Sequence, residues 1–258
     1  MLRHFPRQLY LAISDFEFYK RVFQQPLRDT LIFLLYLAGL VAVILTLIDA
    51  WWLFPAVDTF VAWGADNLPS FAVTDGSLKL DSKQPIVKHF ERANGSMWTF
   101  IFDTSGTYAE PLSLDEPAIL FARKDLTLRL EGQSQVMSWD DFGNFKFEPS
   151  QLDAYGTLVK WTYFPLAYSF LLVLTLLAKP LTAIILSPTV YFAGLHYGGI
   201  RLPFSNCFTI ALYSLVPATT IDLAVKMTGM QIDYFDLIYL AAAAVYAYFA
   251  TLRCVVAH

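Results

Sequence analysis

The sequence predicts an α-helical integral membrane protein with four transmembrane helices and an inserted small β-rich (α+β) extracytoplasmic domain. Three observations predict it. Residues 31–48 and 161–178 contain no charged side chain, and about 18 such residues suffice to cross the ~30 Å hydrocarbon core as a helix. Further apolar runs follow at 181–200, 204–221 and 237–252. Between the first two runs lies a polar block, residues 55–160, with 15 Asp and Glu against 9 Lys and Arg. The modest net charge of -4 therefore conceals an acidic domain.

Residues 1–29 form a cytoplasmic segment. Within it, Ile13, Phe16, Tyr19 and Phe23 recur at helical spacing along 9–27, and Lys20 and Arg21 stand ready for anionic headgroups, which predicts an amphipathic helix in the inner interface. A helix docked on the protein is the alternative. The first transmembrane helix is placed at 30–54; its length and the lack of a small-residue cleavage site make it a signal anchor. Lys179 and Pro180 alone separate the second apolar run from the third. Two residues cannot reverse a chain through a bilayer, so 161–195 reads as one long transmembrane helix bent at Pro180 and Pro188. A cytoplasmic loop at 196–203, a third span at 204–226, an outer loop at 227–233, a fourth span at 234–253 and a tail at 254–258 complete the chain.

Arg3, Arg7, Lys20, Arg21 and Arg28 all precede the first span, which holds the N-terminus in the cytoplasm. Four spans return the C-terminus to the same side and place 55–160 outside. Trp51, Trp52 and Phe54 at one end of the block, with Trp161, Tyr163 and Phe164 at the other, form an outer aromatic belt. Within the block, strand signals fall at 70–73 before the Asp75-Gly76 turn, at 97–102, at 118–122 and at 125–130 before Glu131-Gly132. Cys207 and Cys254 both lie in spans and read as buried thiols.

Local patterns that invite a catalytic reading have plainer explanations. IFDTSGT at 101–107 looks like a strand followed by an aspartate nucleophile, but such chemistry needs Mg²⁺, a lysine and an α/β sheet. A turn in which Asp103 bonds the loop backbone and Gly106 takes positive φ is preferred. Asp140, Asp141, Asn144 and Glu148 do not match a calcium loop. His89 has no nearby Cys or second His to make a zinc site, and His196 with Tyr191 and Tyr197 suits an interface anchor. No metal, cofactor or nucleic-acid partner is expected.

Lys179 lies near mid-membrane in the long second helix, where a cation costs about 2.5 to 3.5 kcal/mol on insertion scales. Asp222 on the third span, or Asp49, would be its partner. Otherwise the helix is shifted, Lys179 snorkels inward and 181–200 is a broken or interfacial segment. Pro217 frees a backbone carbonyl that Ser214, Thr219 or Thr220 would satisfy. Lys179, Asp222 and Pro217 are thus the candidate intramembrane polar site.

The stretches FYKRVFQQPLRDTLIFLLYL, LPSFAVTDGSL, IFDTSG, ILFARKDL and FSNCFTIALYSLVPATT resemble, in this order, the bacterial membrane proteins grouped as domain of unknown function 1189. Some members carry a maltodextrin-utilisation label, and the membrane part is distantly similar to the Yip1-like proteins. The resemblance implies a cytoplasmic-membrane protein with an extracytoplasmic domain and brings no catalytic residues. The expected function is non-enzymatic: a domain that binds a protein, envelope component or small ligand, anchored by its helices as an accessory or regulatory subunit. The alternative is a transport or channel component using Lys179 and Asp222. Expected partners are the lipid bilayer and either another membrane or envelope protein or a second copy of the chain.

Overall fold

The computed structural model describes residues 4–82, 84–92, 95–106, 117–130, 132–230 and 232–255. Expectations that rest on Arg3, Thr107, Glu131 and residues 256–258 lie outside the described residues, as does Gln231 of the last loop. The described chain is mostly helical with two small sheets: α1 (Phe5–Ser14), α2 (Phe18–Phe23), α3 (Leu27–Asn67), strands β1 to β8, α4 (Leu152–Gly198), α5 (Phe204–Thr228) and α6 (Phe235–Val255). Four of these helices, α3 to α6, are long and apolar enough to cross a membrane. The chain divides into two compact units, residues 1–50 with 164–258, and residues 51–163.

In the first unit α5 is the central element, buried almost continuously from Cys207 to Thr219. Tyr213 stacks on Phe33 of α3 with ring centroids 4.0 Å apart. A polar chain crosses beside them: Gln25 Nε2 donates to Tyr213 OH (2.9 Å), and Thr30 and Thr209 share a hydrogen bond of 3.1 Å. Ala243, Ala247, Ala250 and Cys254 recur at helical spacing on α6 and are all buried, the small-residue stripe that lets two helix backbones approach.

The single amphipathic helix expected over 9–27 is instead two. Helix α1 stops at Ser14, and the Asp15 carboxylate accepts the Glu17 N–H (2.8 Å), opening a turn before α2. Phe18, Tyr19 and Val22 are buried against protein, as in the docked alternative, and Tyr19 OH donates to Ala12 O (3.1 Å). Burial pushes the Tyr19 hydroxyl well above the usual tyrosine range, with Tyr246 nearby adding to the shift. The folded state keeps this proton at pH values where the unfolded chain has lost it. Stability should therefore decline as pH rises past about 10, and a Tyr19→Phe variant should show a shallower fall in thermal midpoint there.

Helix α4 runs unbroken through Pro165, Pro180 and Pro188 to Gly198, so 181–198 is continuous helix and not a broken segment. Its end needs a glycine. A Cβ on Gly198 would stand 1.7 Å from Val255 Cγ1 and 3.2 Å from Val255 Cβ, so Gly198→Val should cost about 1–3 kcal/mol by overpacking, read as a lowered thermal midpoint in detergent.

The second unit contains the 51–67 part of α3, the 152–163 part of α4 and both sheets. The three-stranded sheet has the order β2 (Ser77–Leu80), β1 (Phe71–Thr74), β8 (Phe145–Phe147), all antiparallel. The five-stranded sheet has the order β3 (Ile86–Glu91), β4 (Met97–Asp103), β5 (Ala118–Ala122), β6 (Asp125–Leu130), β7 (Gln133–Ser138), with β4 and β5 parallel. Asp75 and Gly76 both take positive φ, the conformation of a tight hairpin turn. The core is aromatic: Phe71, Phe90, Phe100, Phe102 and Trp139 are buried with Phe121 against them. Residues 55–67 continue α3 past Pro55 because Phe60 and Trp63, three residues apart, pack on Phe90 and Phe100. Gly156 and Gly64 allow the two helical pieces to meet, since a Cβ there would lie 2.7 Å from Val61 Cγ2 and 2.8 Å from Leu152 Cδ1.

Candidate functional site

The polar atoms that the first unit gathers between its long helices centre on Lys179. Its ammonium donates to Thr219 Oγ1 on α5 and to Tyr239 OH on α6, both at 2.8 Å, and lies 4.8 Å from the Tyr239 ring centroid. Thr219 Oγ1 and Tyr239 OH also bond each other at 3.1 Å. Three helices are thus tied by one closed triangle of hydrogen bonds. Asp222, the partner expected from sequence, instead accepts from Lys226 one turn further along α5 (3.0 Å). Among the described residues no carboxylate lies within ion-pair distance of Lys179.

The level of this site follows from helix registers. Thr219 precedes the end of α5 at Thr228 by nine residues, and Tyr239 follows the start of α6 at Phe235 by four. At 1.5 Å per residue these are about 14 Å and about 6 Å from the α5–α6 connection. A helical side chain leans toward its own N-terminus, and the Lys179 amine, carried by α4, is bonded on the half of the α5–α6 pair nearest that connection. On α4 itself Lys179 lies 18 residues after Trp161 and 19 before the helix end at Gly198. Tyr239 was not singled out by sequence; a phenol four residues into an apolar helix was the only signal available.

Pro217 lies two residues before Thr219 on α5, about half a turn away. The hydroxyls expected to cap its freed carbonyl do not: Ser214 Oγ donates to Ile210 O (2.8 Å) and Thr220 Oγ1 to Val216 O (2.9 Å), while Thr219 is committed to Lys179. Each Ser or Thr in a helix reaches the carbonyl four residues back. The carbonyl that Pro217 frees belongs to Tyr213, which is out of that reach for all three.

The aromatic residues proposed as anchors are placed on the surface: Trp51 is 77% exposed and Trp161 76%, with Trp52 also exposed. Tyr163 packs edge-on to Phe54, and Lys160 forms an ion pair with Asp58. Lys20 pairs with Glu17, and the Arg21 guanidinium sits over the Phe18 ring at 5.9 Å.

In the second unit, Asp103 is buried at the end of β4, where its Oδ1 accepts from Ser105 N–H (2.8 Å) and Ser105 Oγ (2.6 Å), and Gly106 has φ of 76°. This is the turn expected of a strand end. Asn144 Oδ1 accepts the Asp75 N–H (2.9 Å), Glu148 pairs with Lys146, and His89 Nδ1 is 3.1 Å from Thr99 Oγ1 across the β3–β4 pair. Cys207 and Cys254 are both buried.

A family model described as "Protein of unknown function (DUF1189)" matches residues 7–251, and the chain belongs to that family. Neither the curated proteins nor the solved structures give a match.

Proposed function

We propose that this member of the DUF1189 family is a non-enzymatic protein of the bacterial cytoplasmic membrane. It crosses the bilayer four times with both termini inside and holds its β-rich unit outside. There the unit binds a protein, an envelope component or a small ligand, and the protein acts as an accessory or regulatory subunit. One observation carries the reading. Leu166, Phe170, Val173, Leu177, Leu181 and Ile185 form a stripe of exposed apolar side chains along α4. Removing one such side chain from water is worth about 1.5–3 kcal/mol, so in water this stripe alone forgoes on the order of 10 kcal/mol. Lipid tails remove that cost, and the exposed tryptophans and the basic residues before α3 supply the expected orientation.

The binding role is supported by strand β7. It ends the five-stranded sheet, and Val136 on it is 63% exposed; a sheet edge offers unpaired backbone groups to an incoming strand. The Lys179 cluster supports a second reading, a transport component in which the polar triangle lines a substrate route. Lys179→Leu separates the two: unchanged assembly with lost flux favours transport, and intact function favours anchoring.

The first reading is tested in cells. The chain should stay in membranes washed with alkaline carbonate, and a photoreactive benzoylphenylalanine replacing Val136 should yield a discrete crosslinked species. Release by carbonate, or no crosslink from Val136 or its β7 neighbours, contradicts it.

A further inference from the structure

We propose that a small cavity between α1 and α3 binds a primary alkylammonium ion. The cavity measures about 150 Å³ and is walled by Phe5 and Gln8 of α1, by Asp29, Phe33 and Tyr36 of α3, and by Gln25 just before α3. Phe5 and Gln8 are three residues apart, and Asp29, Phe33 and Tyr36 are spaced four and three, so each set shares one helix face. All of these residues belong to the first unit. The site therefore stands or falls independently of the membrane reading.

Its polar groups are set to accept. Gln25 commits both Nε2 protons, to Tyr213 OH (2.9 Å) and to Thr30 Oγ1 (3.4 Å), which leaves its Oε1 as an acceptor. Asp29 is half-buried, and an ionised carboxylate only accepts. Neither His4 at the rim nor any Lys or Arg among the described residues lies within ion-pair distance of it. An incoming ammonium returns the hydration that this carboxylate has given up. The position of Asp29 in the first turn of α3 suits the helix dipole, but the dipole does not account for the open space and the rings gathered beside it.

The rings complete the match to a cation on a short alkyl chain. Phe5 lies 5.6 Å from Phe33 and 5.5 Å from Tyr36, tilted by 53° and 45°, so these rings do not close each other's faces by stacking. A cation within about 6 Å of such a face is attracted to it, and methylenes are covered by the same surface. Phe33 is held from behind by its stack on Tyr213, so the wall is rigid before any ligand arrives. Size narrows the class further: an apolar cavity of about 150 Å³ takes a benzene-sized molecule. Sugars and nucleotides are too large, an anion is repelled by Asp29, and a neutral molecule leaves the carboxylate unpaired.

The full chain in detergent micelles is titrated with n-butylammonium chloride at constant ionic strength while its thermal midpoint is followed. Sodium chloride and n-butanol serve as the salt and neutral controls. Butylammonium should raise the midpoint with saturation in the millimolar range expected of so small a ligand, and neither control should. Asp29→Asn keeps the side-chain shape and should raise the half-saturating concentration about tenfold or more. Gln8→Glu places a second carboxylate on the wall and should lower it about threefold, which keeps the test decisive if the first variant fails to fold. No saturable rise in the wild type, or an unchanged half-saturation point in both variants, overturns the site. Equal stabilisation by tetramethylammonium, which has no N–H to donate, overturns the assignment to a primary amine. A rise with phosphatidylethanolamine in the micelles and none with butylammonium overturns the free ion in favour of a lipid-borne amine.

Discussion

Trp139→Ala should unfold the β-rich unit while leaving the helices of the first unit intact. The indole is 2% exposed, donates Nε1–H to Ala122 O at 2.8 Å and stacks with Phe121. Its removal deletes a large packing element and leaves the Ala122 carbonyl without its donor. Buried Trp to Ala changes cost about 3–5 kcal/mol, a large share of the ~5–15 kcal/mol that holds a domain. Limited trypsin digestion of the full-length variant should cut within 71–147 at rates far above wild type, with the α5–α6 pair still protected. Trp139→Phe, which keeps most of the ring, should lie between the two. Equal digestion of wild type and Trp139→Ala would contradict the aromatic core described for this unit.

Tyr213→Ala should be the most damaging change in the helical unit. Tyr213 is fully buried, stacks on Phe33, meets Phe18 edge-on at 5.8 Å and accepts the Gln25 amide. In the membrane reading proposed above the water-transfer term between helices is absent, so packing and hydrogen bonds carry the association. Alanine leaves a void in the packed interior and a part-buried Gln25 amide with only the longer bond to Thr30 Oγ1 (3.4 Å), for a cost of about 2–5 kcal/mol. Tyr213→Phe isolates the second term at about 1–3 kcal/mol. The expected readout is a lowered thermal midpoint in detergent, larger for Ala than for Phe; the reverse order would contradict the stacked arrangement.

The four apolar helices were legible because a long uncharged run needs no tertiary partner to declare itself. Strands β1, β4, β5 and β6 were legible because short apolar runs there are bounded by turn residues such as Asp75-Gly76 and Asp103, and because Leu126 and Leu128 alternate with polar residues. Strands β2, β3, β7 and β8 were not. Strand β7, reading QSQVMS, is polar because an edge strand has little to bury, and β2 and β8 have four and three residues. The helical 55–67 stretch was assigned to the polar domain because its apolar face, Phe60 and Trp63, is short and serves the sheet core. In the candidate site, Lys179 was visible as a charge inside an apolar run. Its partners were not: the sequence favoured opposite charge and so pointed to Asp222, whereas the hydroxyls of Thr219 and Tyr239 take the amine. Tertiary packing of three helices decides that choice, and no spacing rule encodes it.

The central claim is that the chain crosses a membrane four times with the β-rich unit outside, and thiol accessibility tests it most directly. Single cysteines are introduced as Val136→Cys on β7 and Gln8→Cys on α1, with Cys207 and Cys254 changed to alanine, and intact spheroplasts are treated with a membrane-impermeant maleimide. The account predicts that Val136→Cys is labelled at once and Gln8→Cys only after lysis. Labelling of Gln8→Cys in intact spheroplasts, with Val136→Cys protected until lysis, would contradict it.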